Sequence, residues 1–217
     1  QFGILKGIIL PKQNRRIEIL PYISSADKLE PGDSEDPYYS KHNIIGNMGV
    51  DFKIGLGSNF TLTGTINPDF GQVEADPADL NLSAFETFFE ERRPFFLEGT
   101  DIFQFGKTRA FRAGSPSIFY SRRIGRNPRG SIIGNSEYED YPLQTKIISA
   151  LKFSGKTNSG LSVGILDAIT AKENAKYRDS TNTETSQAVE PFANSLVLRL
   201  KQDLKDGKII FGGFLTN

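Results

Sequence analysis

The sequence predicts an all-β fold of long antiparallel strands, and three observations carry that prediction. Apolar and polar residues alternate with period two in segments of about ten residues, the pattern of a strand with two unlike faces. Successive segments are joined into hairpins by tight turns rich in Gly, Asn or Asp. Those turns alternate with long polar connections, which places short and long links at opposite ends of the strands. Strands of ten or more residues exceed the usual soluble length of about five to six, whereas about 9–11 residues let a tilted strand cross a bilayer. The expectation is the N-terminal part of an antiparallel outer-membrane β-barrel with an inserted plug-like segment containing a short helix. The same alternation also describes a soluble β-sandwich or a set of propeller blades, and these stand as the alternative folds.

Residues 16–24 read as the first strand, and 28–41, rich in Asp, Glu, Pro, Gly and Tyr, as a long loop. His42, the single histidine, lies in a polar run beside Tyr38, Tyr39 and Lys41 and reads as a loop residue without a catalytic role. From Met48, the positions Val50, Phe52, Ile54 and Leu56 are apolar and Asp51 and Lys53 polar. After Gly57-Ser58-Asn59, Phe60, Leu62 and Ile66 alternate with Thr61, Thr63, Thr65 and Asn67. A second hairpin sets Ile147, Leu151 and Phe153 before Asn158-Ser159-Gly160 and Leu161, Val163, Ile165 and Ile169 after it. Residues 172–190, nearly devoid of apolar side chains, read as a long solvated loop. A third hairpin joins 193–204 to 209–216 through Lys205-Asp206-Gly207; Leu196, Leu198 and Leu200 take one face, with Ser195, Arg199, Lys201 and Asp203 on the wet side. The whole of 1–217 is expected to be a single incomplete barrel domain, because it opens without a leader pattern and closes on a strand without a turn.

Composition limits function more than it specifies it. Lys+Arg and Asp+Glu both total 26, so no net field favours nucleic acid as a partner. Without cysteine there is no disulfide, Cys-ligated zinc or thiol catalysis. No window reaches the ~18 consecutive apolar residues of a spanning helix, a test that β-barrels escape. No cofactor or metal is implied. Asp69, Glu74 and Asp76 lack the ligand spacing and central Gly of an EF-hand loop.

Residues 67–105 are what a plain barrel does not explain. Leu80, Leu82, Phe85, Phe88 and Phe89 suggest a short helix after Pro77, ended by Pro94. Phenylalanines beside paired Glu and Arg suit a confined interior, where charges must satisfy one another. An interior ion-pair network is expected among Glu74, Asp76, Glu91, Arg92, Arg93, Glu98, Arg122, Arg123 and Arg126, with Glu91, Arg92, Arg93 and Glu98 paired to Arg122, Arg123 or Arg126. The basic run Tyr120–Arg126 could instead meet a phosphate or an acidic sugar, although such arginines more often pair with carboxylates.

The stretches NPDFGQVEADP, NLSAFETFFEERRPFFLEG and FYSRRIGR resemble a family of uncharacterised Gram-negative envelope proteins, from about Arg16 to the chain's end. Its usual FFPEKRPFF-like stretch stands here as Phe88-Phe89-Glu90-Glu91-Arg92-Arg93-Pro94-Phe95-Phe96, with the charge pattern kept. Members typically join a family 9 carbohydrate-binding-like domain to a C-terminal domain of unknown function taken to be an outer-membrane barrel. The resemblance therefore implies an outer-membrane location, the lipid bilayer as a partner, and a glycan or other envelope proteins as further partners. The expected role is transport or surface assembly, with no catalytic residue assigned. Two alternatives stand beside it: an envelope glycan hydrolase using carboxylates such as Glu74, Glu91 or Glu98, and a soluble carbohydrate-binding sandwich offering Tyr38 and Tyr39.

Overall fold

The computed structural model describes residues 16–29, 31–69, 89–103, 118–179, 181–205 and 208–217. The fold is all-β and antiparallel. Seven strands form one sheet: β1 (Ile17–Leu29), β2 (His42–Leu56), β3 (Phe60–Ile66), β5 (Ile147–Lys156), β6 (Leu161–Thr170), β9 (Ala193–Leu204) and β10 (Ile209–Thr216), in that spatial order. Three more, β4 (Tyr138–Asp140), β7 (Glu173–Arg178) and β8 (Glu184–Glu190), make a second sheet in the order β4-β7-β8. Among the described residues the large sheet is open, with β1 and β10 at its edges. Its three hairpin turns, after Leu56, Lys156 and Leu204, lie at one end, and the long connections at the other. Gly57 and Gly160 take positive φ in two of those turns (+69° and +88°), where a Cβ would be strained.

The hairpins read from alternation are present, and β1 and β2 run further than expected. His42 begins β2 opposite Leu29 instead of lying in the loop, and its Nδ1 sits 2.9 Å from Asp27. Residues 172–190, expected as a solvated loop, hold strands β7 and β8. Ala175 and Val189 are buried there, and Asp179 Oδ1 organises the turn by accepting from the N–H groups of Thr181 and Thr183. Polar residues on both faces erase the alternation that marks a strand, while backbone pairing needs only the turn.

One face of the large sheet is mostly apolar, and the other mixes polar residues with Ala150, Leu166, Ala168 and Val197. Register places Ile19, Phe52, Leu62, Phe153, Ile165, Leu198 and Leu215 on one face and Asp51, Lys53, Thr63, Thr65, Lys152, Arg199 and Lys201 on the other. The face that carries packing is the polar one. Lys152, Thr65 and Arg199 are 2%, 2% and 6% exposed, whereas Ile23, Met48 and Phe211 on the apolar face are 84%, 69% and 58% exposed. Arg199, expected on a wet side, is buried, with Nη1 donating to the carbonyls of Leu200 and Gly213.

Two short helices, α1 (Pro94–Leu97) and α2 (Thr100–Phe103), belong to the segment on the polar face. Phe95, Phe96 and Phe103 there join Ile124, Ile147, Ala150, Leu166, Ala168 and Val197 in the buried core. A β-bulge between Ile147 and Ser149 brings Ile147 onto the same face as Ala150. Phe103 approaches the sheet closely because β6 presents Gly164, where a Cβ would stand 2.6 Å from Ile102 Cγ2 and 3.1 Å from the Phe103 ring. Pro94 opens α1 instead of ending a helix, and residues 89–93 are not helical. Proline suits a first helical position, where its missing N–H would have had no partner. The helix expected from residue 80 onward lies, up to residue 88, outside the described residues.

Candidate functional site

The site grows from one buried ion pair. Glu91 and Arg93 sit two residues apart in extended backbone ahead of α1, with side chains 11% and 9% exposed. Arg93 Nε donates to Glu91 Oε1 at 2.8 Å and Nη2 to Oε2 at 2.7 Å, a fork matched to a carboxylate. The guanidinium also donates to the carbonyls of Ile124 and Ser121 at 2.6 and 2.8 Å and lies 4.2 Å from the centre of the Phe96 ring. Ser121 Oγ donates to Glu91 Oε2 at 2.5 Å. Residues 89–97 are thereby clasped to the 3₁₀ turn Ser121–Arg123. Burial raises the Glu91 pKa, but hydrogen bonds from Arg93 and Ser121 and the Arg93 charge outweigh it and hold the carboxyl below its ordinary value.

A second anchor joins the segment to the sheet. Lys152, on the polar face of β5, directs Nζ at the carbonyls of Phe95 and Glu98 and stands 4.9 Å from the centre of the Phe95 ring. Lys53, on β2, pairs with the Glu98 carboxylate. The first anchor is thus carboxylate to guanidinium inside the connection, and the second is ammonium to α1 from the sheet.

The expected partners differ from those found. Glu91 is held by Arg93, and Glu98 by Lys53, instead of by the arginines of 122–126. Arg126 pairs with Glu190 at 3.0 Å, which ties the connection to β8. Arg122 Nη1 donates to the carbonyl of Glu90, and Arg123 lies 6.0 Å from the Tyr120 ring. The Arg92 N–H donates to Glu91 Oε1 at 3.1 Å. Glu74 and Asp76 lie outside the described residues. Sequence reasoning missed Lys152, Lys53, Ser121 and Glu190; a lysine on an alternating strand carries no mark of the loop that will cover it.

Two cavities of about 230 and 250 Å³ lie between α1 and strands β1–β3, sharing Asp51, Pro94 and Phe95. The first is further lined by Glu18, Lys53 and Glu98, the second by Tyr22, Ser24, Thr65 and Asp69. Among the described residues no three His, Cys, Asp or Glu side chains are placed to hold a metal ion. A glycan hydrolase needs a carboxyl kept protonated as the acid; Glu91 is shifted the opposite way.

Fold and site define an all-β protein whose open antiparallel sheet carries an anchored segment on its polar face. The chain belongs to the domain of unknown function DUF5916, whose family model matches residues 14–211. Neither a curated protein nor a solved structure matches it.

Proposed function

We propose that the chain forms part of the wall of a bacterial outer-membrane β-barrel, with the α1–α2 segment lodged in the lumen as a plug, in a protein of transport or surface assembly. The inverted polarity of the sheet carries this reading. In water a sheet buries its apolar face, because each Å² removed from solvent is worth about 25 cal/mol. Here Ile23, Met48 and Phe211 of the apolar face are exposed, and Lys152, Thr65 and Arg199 of the opposite face are covered. Lipid outside and a polar lumen inside reconcile the two.

Strand stagger supports the same geometry. The ladder Leu56, Phe60, Gly155, Val163, Leu200 runs straight across the sheet. The β2–β3 hairpin ends at that ladder, β5–β6 one pair beyond it at Lys156, and β9–β10 four residues beyond it at Leu204. This amounts to about one residue per strand; a rise of about 3.3 Å against a spacing of about 4.8 Å gives a tilt of about 35°, within reach of barrel values. The β7–β8 hairpin, rich in polar residues, continues β6 and β9 past the apolar band and would project beyond the membrane on the long-loop side.

Membrane fractionation of the full-length protein tests the reading, followed by heat-modifiable gel migration of the extract. Recovery only with detergent, with a mobility shift on boiling, supports the closed barrel. Release into the aqueous fraction refutes it.

A further inference from the structure

We infer that β1 and β10 are each completed by an antiparallel strand of the same polypeptide outside the described residues, so that an odd number of further strands, and no second copy, closes the wall. The inference rests on the barrel reading, and the two outer edges carry it. The Asn217 N–H donates to the Leu196 carbonyl at 3.2 Å, one step beyond the Thr216–Val197 pair. Bonded and non-bonded pairs alternate along an antiparallel ladder. Phe211, Gly213 and Leu215 therefore turn their N–H groups toward β9, and Ile210, Gly212 and Thr216 turn theirs outward. On β1 the Gly55 N–H donates to the Arg16 carbonyl at 2.9 Å. The same count puts Ile17, Ile19, Pro21 and Ile23 in the outward phase, and proline has no N–H to offer.

Edges of this kind must be paired at bilayer depth. Hydrocarbon offers backbone groups no hydrogen bond, so a sheet that spans a membrane has to close. Ile209, Phe211 and Leu215, on the face given to lipid, are 45%, 58% and 53% exposed, which puts the β10 edge among lipid chains. A strand that ends a sheet in water is commonly blunted by charge or proline. Ile209–Thr216 contains neither, so β10 is built to be continued. On β1, Pro21 withholds one donor, and the junction there lacks one rung of the ladder.

Strand direction selects the partner. All six pairings of the large sheet are antiparallel, so its seven strands leave β1 and β10 running the same way, from the hairpin-turn end to the long-connection end. Closing β10 directly on β1 would set parallel strands together. A second copy in the same membrane orientation is related by rotation about the membrane normal, which leaves strand directions unchanged, so its edges would also meet in parallel. Each partner must instead return toward the hairpin-turn end. An alternating series that begins and ends with a returning strand has an odd number of members, which gives the even total of bacterial single-chain barrels. The described strands of the large sheet are neighbours in chain order throughout, and continuation by the same chain keeps that meander.

The test is nuclear magnetic resonance of the full-length protein in detergent, folded from a mixture of isotope-labelled and unlabelled chains. Gel migration before and after boiling is checked first, so loss of the barrel reading is recognised separately from loss of the closure. In an antiparallel ladder the Hα protons of non-bonded pairs face each other. Hα contacts from Phe211, Gly213 and Leu215 to a strand outside β1–β10 are expected, within the labelled chain alone. The amides of Ile210, Gly212 and Thr216 should exchange within about tenfold of those of Phe211 and Gly213. Contacts to the unlabelled copy, no Hα contacts across the β10 edge in a heat-modifiable protein, or exchange of the outward amides more than about tenfold faster overturns the inference.

Discussion

Replacing Glu91 by alanine should open the segment that its carboxylate closes. Arg93 would keep the carbonyls of Ile124 and Ser121 and the Phe96 ring but lose both bonds of the fork at a guanidinium only 8% exposed. Removing one partner of a buried pair typically costs about 3–5 kcal/mol. The surviving carbonyl bonds argue for the lower end, about 3 kcal/mol, which is roughly a 150-fold change in the opening equilibrium at about 1.4 kcal/mol per decade. Hydrogen exchange reads this directly at the Phe96 and Leu97 amides, whose N–H groups bond to the Arg93 carbonyl at 3.0 and 3.1 Å. The Glu91→Ala and Arg93→Ala double-mutant cycle should give a coupling of about 2 kcal/mol. Exchange at Phe96 rising less than about threefold, or additive mutants, would refute the clasp.

Acid should release the same clasp. Because the folded pKa of Glu91 lies below its ordinary 4.5, its contribution is complete above that value and is lost as pH falls through the folded pKa. Phe96 exchange, corrected for intrinsic chemistry, should stay level from neutral pH down to about 5 and accelerate below 4.5, and Glu91→Gln should abolish that step. Lys152→Met removes the donor to the Phe95 and Glu98 carbonyls and should destabilise the segment by about 2 kcal/mol, read as faster proteolysis between residues 89 and 103. Gly164→Val places a side chain where Ile102 and Phe103 pack; the segment should lose protection while the strand amides of β6 and β9 keep theirs. Ile165→Arg on the apolar face should lower insertion into bilayers by about 2–4 kcal/mol at mid-depth, and Thr61→Arg on the polar face should be tolerated. Equal tolerance of the two would count against lipid on the apolar face.

Several features of the fold were legible because they are local. Period-two alternation and turn chemistry define β2–β3, β5–β6 and β9–β10, since strand faces and turn dihedrals depend on residues a few positions apart. The β7–β8 pair was hidden because it puts only Ala175 and Val189 among its buried apolar residues, too few to mark an alternation. Pro94 was ambiguous for a different reason: proline is compatible with both the residue after one helix and the first residue of the next.

By itself, the sequence determined that the protein is a meander of two-faced strands interrupted by a phenylalanine-rich, charged segment. Tertiary structure alone decided that residues 89–103 cover the polar face, that Glu91 turns to Arg93, and that Lys152 reaches the carbonyls of Phe95 and Glu98. Alternation says that two faces differ, not which one will be covered. An ion pair is chosen by distance through space, and the β5 lysine lies more than fifty residues along the chain from the carbonyls it holds.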